Sequence, residues 1–193
     1  MVTFKAIAKL PYYIHQNFNV LYKAEAWWYM LVISIFEFPI IKDFYRMNNL
    51  PVYHVQHINL LQGSTFFLPN SVGVNIQQSV SPQASEKVFI KHTPNAFLST
   101  GLADELFQNG INHIVICGMM SHMCIDTTVR AAHDLGFSVT VLEDACTTKD
   151  LFWDGILIPA TIVQNTFMAS LNGIFAQVLQ TDKFLENTKH FKQ

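Results

Sequence analysis

A three-layer α/β domain built on a buried, mostly parallel sheet is the fold class this sequence predicts, on three observations. Half of the 193 residues are apolar and only 13% are charged, a balance that suits a sheet covered on both faces. Four β-branched runs, Val52 to Gln56, Lys87 to Lys91, His113 to Cys117 and Ser138 to Leu142, have the length and apolar content of buried strands. Helical segments separate the later ones, so residues 87 to 142 read strand, helix, strand, helix, strand. That alternation is the mark of right-handed βαβ units.

The elements follow in chain order. Lys5 to Val20 shows no clean period. Ala24 to Asn48 has helical length, but Pro39 should kink or split it, and Trp27, Trp28, Tyr29, Val32, Ile33, Ile35 and Phe36 argue for a strand in part. Ser99 to Asn109 places Leu102, Leu106 and Phe107 on one helical face and stops at Gly110. Ser121 to Leu135 repeats Ile125, Val129 and Ala132 at helical spacing and stops at Gly136. Both glycines fit helix C-caps. Gly155 to Thr181 carries no charge, yet Gln164, Asn165, Asn172 and Gln177 interrupt it, and Ile162, Phe167, Leu171, Ile174 and Val178 recur at helical spacing. An amphipathic helix docked on the sheet is expected there rather than a membrane span.

Length and charge narrow the function classes. The 193 residues suit one domain, residues 1 to 193. A formal net charge of -2 without a Lys/Arg cluster points to no nucleic acid and no anionic membrane as partner. The N-terminus lacks a standard signal peptide, so a cytoplasmic setting is expected. Apolar surface left over by one domain suggests a homo-oligomer, a dimer or larger. Cys117, Cys124 and Cys146 cannot all pair and read as free thiols. Cys117 lies in an apolar strand and reads as inert core, whereas Cys146 falls in an expected loop.

Cys124 is the residue with a chemical setting. It lies in Gly118-Met119-Met120-Ser121-His122-Met123-Cys124, between a buried strand and a helix start. A thiol there meets first-turn amides and the positive end of the helix dipole, which favour thiolate and so a nucleophile.

Ile114 to Ala132, with Cys124 at its centre, resembles the nucleophile motif of the isochorismatase-like cysteine hydrolases. Val88 to Phe97 upstream, Val141 to Cys146 downstream and Leu50 to His57 are similar to the family's other segments, in the right order, and the likeness spans roughly residues 40 to 180. The resemblance implies a three-layer doubly wound (Rossmann-like) fold with a mostly parallel six-stranded sheet. It also implies an Asp–Lys–Cys triad that hydrolyses C–N bonds of small amides through a thioester. Carried onto this chain, Cys124 is the nucleophile and Lys91 the triad lysine. The family's cis peptide falls between Met119 and Met120, and the amides of Met120 and Cys124 form the oxyanion hole. A small-molecule substrate and no cofactor are expected.

The triad aspartate has no counterpart, since no Asp precedes Asp43. The nearest echo is Tyr13-Ile14-His15-Gln16-Asn17-Phe18, where Ile14 takes the aspartate's position. Three readings stand: the first forty residues are frameshifted; His15 substitutes as base, which an imidazole near pH 7 allows; or catalysis is lost and the fold persists as a binding or oligomeric scaffold.

No metal is expected. His54 and His57, three apart on a strand, point to opposite faces, and Ile58 to Gln83 contains neither Asp nor His. His122 either lines the pocket or caps the turn. Phe66, Phe67, Phe97 and Trp153 are candidate pocket aromatics, with Phe97 favoured because it follows Lys91 closely, and Met119 is a further substrate-binding candidate. Asp126 and Arg130 read as a helix-surface pair, and Asp144 belongs to the family's structural motif.

Overall fold

The computed structural model describes residues 37–188. In chain order they form α1 (Glu37–Met47), β1 (Tyr53–His57), β2 (Lys87–Lys91), α2 (Leu102–Gln108), β3 (His113–Met119), α3 (Asp126–Asp134), β4 (Ser138–Thr147), β5 (Leu151–Trp153), β6 (Ile156–Ile158), α4 (Ala160–Leu171), β7 (Gln177–Leu179) and α5 (Thr181–Thr188). β1 and β2 pair in parallel, as do β3, β4 and β7 in that order. β5 and β6 form a separate antiparallel hairpin. Among the described residues the parallel ladders thus hold five strands rather than six.

The alternation of β4 makes the three layers. Val139 and Val141 point into a core shared with Leu102 and Leu106 of α2, Val129 and Ala132 of α3, and Met168 and Leu171 of α4. Leu142 and Ala145 belong to a second core, with Ile41 and Tyr45 of α1 and Phe184 and Leu185 of α5. A strand with apolar residues on both faces needs a helix layer on each, and here each face receives one. The expected β2 agrees residue for residue, and β1 is displaced by one residue. At Gly136 (φ 90°) the Phe137 amide reaches back to the Ala132 carbonyl, 3.0 Å, a glycine C-cap closing α3. Ile111 makes the same bond to Leu106 beyond α2, 2.9 Å.

Four expectations are corrected. The helix expected from Ser99 begins at Leu102, because Ser99 and Gly101 both take positive φ and form a turn. The helix expected over Ser121 to Leu135 is a five-residue π turn, Ser121–Ile125, followed by α3. The expected helical periodicity through Val178 stops at Leu171. Gly173 turns the chain at φ 84°, Ile174 is 71% exposed, and Val178 pairs with Val141 in β7. Strand β4 runs on to Thr147, so Cys146 lies in a strand and not a loop. Its thiol accepts from the Gly118 amide, and burial pushes its pKa up to about 12. Cys117 is likewise driven upward by burial, so both thiols stay protonated and inert at neutral pH.

Pro39 falls in the first turn of α1, where a missing N–H costs no intrahelical bond. The rest of the segment read ambiguously from Ala24 lies outside the described residues. No helix among the described residues is long and apolar enough to cross a membrane.

A polar cluster ties α1 to β1. Arg46 donates Nε and Nη2 to the two carboxylate oxygens of Glu86, each at 2.7 Å, and Nη2 also reaches the Ser81 carbonyl. The buried His54 ring lies 2.9 Å from Glu86 Oε2. Hydrogen bonds from Arg46 foremost hold the Glu86 carboxyl down at about 2. A depressed carboxyl contributes stability above its unfolded pKa and loses it as pH falls towards the folded one. Stability is therefore expected to decline between about pH 4.5 and pH 2 as Glu86 protonates. Glu86→Gln should cost about 2 kcal/mol in urea unfolding at neutral pH and flatten that acid limb.

Candidate active site

Parallel pairing brings the C-terminal ends of β1 and β2 together, and the contact between Cys124 and His57 sets the turn that follows β3 beside them, at the kind of strand-end edge where open α/β sheets take ligands. The three strands end at His57, Lys91 and Met119. His57 and Lys91 are direct partners in the β1–β2 ladder. Beyond β3 the π turn carries Cys124, which is half-buried. Its Sγ lies 3.9 Å from His57 Nδ1.

The approach to Cys124 is shaped by an irregular strand end. Ile116 faces Val141, but two residues later Gly118 faces Cys146, so β4 bulges against β3. Gly118 takes φ 128°, a backbone conformation that side chains disfavour. The Met119–Met120 peptide is cis, where the resemblance puts it. The Met120 carbonyl then accepts from the amides of Met123 (3.0 Å) and Ile125 (3.2 Å), the second being the i→i−5 bond of the π turn. The fully buried Ser121 fixes this turn: its hydroxyl donates to Gln164 Oε1, 2.6 Å. Gln164 in turn donates to the Glu143 carbonyl, 3.1 Å.

Lys91 is only 5% exposed. Its ammonium donates to the Pro94 carbonyl, 2.6 Å, curling the following loop back onto the strand end. Thr128 of α3 clamps the same loop, accepting from the Ala96 amide (3.1 Å) and donating to Pro94 O (3.3 Å). The helix carrying the thiol's turn and the loop carrying the lysine's anchor are thus bonded to each other.

His57 is held on several sides. Phe67 stacks on it, centroids 5.4 Å apart at 28°, and the Phe67 carbonyl accepts the Asn59 amide, 2.8 Å, closing the intervening loop. Burial, then the Lys91 charge, pull the His57 pKa below its ordinary value; a hydrogen bond to the His92 backbone partly opposes them, and the His92 ring adds a smaller lowering. His122 is also held low, by burial first and Lys149 second. Its Nδ1 contacts the Thr148 hydroxyl, and its ring meets Phe167 edge-on.

Of the residues singled out from sequence, Cys124, Met119, Met120 and His122 gather in or beside the turn, and Lys91 ends the adjoining ladder. His15 lies outside the described residues. Phe97 stacks on Phe137 (5.9 Å, 14°) and packs against the core, so its ring is committed there. Trp153 is 76% exposed on β5. Phe67 is the aromatic found beside the sulfur's neighbour. Sequence reasoning set His57 aside as half of a failed metal pair, and His54 does face away, into the Glu86 cluster. The signal that could have found His57 is its place at the end of one predicted strand, opposite Lys91 at the end of the next. Among the described residues no group of three or more His, Cys, Asp or Glu could hold a metal. An open groove lined by Phe137, Ser138, Asn172 and Gly173 lies at the other end of the sheet, where β4 and β7 begin, away from these groups.

Comparison with known proteins agrees with this fold. An isochorismatase domain model matches residues 38–187. The uncharacterized isochorismatase family protein YddQ of Bacillus subtilis is 46% identical over 142 residues, covering 74% of this chain and 79% of its own. The chain belongs to the isochorismatase family. Within that family, an isochorismatase of Pseudomonas putida superposes with TM-score 0.74 at 32% identity, over 78% of this chain and 77% of its own. A streptothricin hydrolase of Streptomyces noursei is 34% identical over 83 residues, 43% of this chain and 30% of its own.

Because Thr128 joins α3 to the loop after Lys91, Thr128→Val should cost about 1 to 2 kcal/mol by stranding the Ala96 amide. Hydrogen exchange at Ala96 should quicken by more than the global destabilisation accounts for. Unchanged exchange at Ala96 would deny the clamp.

Proposed function

We propose that this isochorismatase-family protein is a cysteine hydrolase that cleaves the C–N bond of a small carboxamide through a thioester. The observation that carries the reading is the half-buried Cys124 thiol standing at the strand-end edge, beside the His57–Lys91 pair. A family relative named as a streptothricin hydrolase adds support for a hydrolytic reaction.

In this reading Cys124 Sγ attacks the carboxamide carbon and the carbonyl π electrons move onto oxygen. The backbone amides of Met120 and Cys124 receive that oxyanion, fixed donors that need no reorganisation as charge develops. Lys91, buried and anchored on Pro94, supplies positive charge to the sulfur. Collapse expels the amine, which leaves protonated, and water then attacks the thioester, giving the acid and restoring the thiol. Met119, His122 and Phe67 flank the approach and would set substrate shape.

A second reading, a binding scaffold that keeps the fold without turnover, draws on one observation. The first aspartate of the chain, Asp43, is 59% exposed on α1 and paired with Lys42 and Arg46, so it is no base for Cys124.

The test is ammonia release from a panel of small primary carboxamides, nicotinamide included. At least one should be hydrolysed; Cys124→Ser should fall to the uncatalysed level, and Lys91→Met should lower kcat/KM by roughly 10²-fold or more. Hydrolysis that survives Cys124→Ser would reject the proposal. A thiol inert to alkylation, with no amide turned over, would favour the scaffold.

A further inference from the structure

We infer that His57 is the general base that takes the proton of Cys124, an assignment that rests on the hydrolase reading above. The geometry is specific. His57 closes β1 in register with Lys91, and its Nδ1 is the hydrogen-bond partner of Cys124 Sγ at 3.9 Å. Catalytic hydrogen bonds are often long before substrate binds, and sulfur's larger radius lengthens them further. Phe67 stacked against the ring restricts its rotation. The loop that delivers Phe67 is closed at both ends, by the Asn59 amide on the Phe67 carbonyl and the Ile58 amide on the Lys91 carbonyl, 3.0 Å. A half-buried imidazole that stacks on one face and meets a thiol at its edge is built as an oriented group.

The surroundings also favour the neutral form of the ring. Burial acts first and the Lys91 charge second, both disfavouring a proton on the ring, and a hydrogen bond to the His92 backbone only partly opposes them. A ring kept neutral presents a lone pair at neutral pH, as a base requires. Substrate attack then proceeds with balanced protons. The S–H proton moves to Nδ1 as sulfur bonds to the carbonyl carbon. The imidazolium returns that proton to the departing nitrogen as the C–N bond breaks. Water, deprotonated by the same ring, then cleaves the thioester, and the proton restores the thiol.

The experiment is site-resolved alkylation of Cys124 by iodoacetamide, followed by mass spectrometry across pH, with amide turnover measured in parallel. Wild-type protein should keep its alkylation rate through the ordinary imidazole range and lose it only at lower pH, because the depressed ring protonates later than a free imidazole. His57→Asn should react roughly tenfold more slowly at about pH 7, with the gap narrowing in alkaline solution as hydroxide takes over as base. On any amide the wild type hydrolyses, kcat should drop by about 10²-fold or more with KM little changed. His57→Gln and thermal melting separate this effect from loss of fold, and the wild-type pH limb tests the inference without any variant. A folded His57→Asn protein with the wild-type alkylation profile would overturn the assignment. If Cys124→Ser abolishes turnover while His57→Asn keeps it, only His57 falls. If His57→Asn slows alkylation but no amide is ever turned over, the pair stands and the hydrolase reading fails.

Discussion

Parallel register is the constraint from which the rest follows. Because β1 and β2 run the same way, their final residues arrive together at one edge, and pairing His57 with Lys91 places an imidazole beside an ammonium, where the turn after β3 meets them through Cys124. Parallel strands demand long crossovers, and those crossovers supply the helix layers that bury the sheet. The same topology therefore makes the hydrophobic core and concentrates the polar groups where the core ends. An antiparallel pairing of β1 and β2 would place His57 and Lys91 at opposite edges.

Holding the thiol in place depends on polar bonds between segments distant in sequence. Ser121 is anchored to Gln164, Thr128 to the loop after Lys91, and Asp144 accepts from both the amide and hydroxyl of Thr181, at 2.8 to 3.0 Å, to dock the last described helix. All three anchors sit on or beside β3, β4 or the π turn, so the strand-end irregularity is braced from two layers. π turns commonly accompany functional sites, and here the turn seats Cys124 two residues before regular helix begins.

Much of the fold was legible because it is written locally. The β2 run is bounded by lysines at both ends, and Gly110 and Gly136 mark helix ends through their own backbone freedom. What sequence could not show rests on distant partners. The π turn is fixed by Gln164, 43 residues beyond Ser121. Glu143 and Asp144 look like loop charges until Gln180 and Thr181, both 37 residues on, satisfy them inside a long strand. Periodicity overran the end of α4 because Ile174 and Val178 kept helical spacing while Asn172-Gly173 had already turned the chain. Phe97 looked close to Lys91 along the chain, but Phe137 claimed its ring. Cys124 and Lys91 were singled out through motif; His57 was not, since its place beside them appears only when two strands lie side by side.

Acylation of Cys124 is the step on which the proposed hydrolysis turns. Its most direct measurement is acid-quench intact-mass spectrometry, after mixing the protein with a turned-over carboxamide, followed by peptide mapping. A transient adduct with the mass of the acyl group, without the amine, is expected on the Cys124 peptide, released by hydroxylamine. Steady hydrolysis with no such adduct under single-turnover conditions, or an adduct on any other residue, would contradict acylation of Cys124.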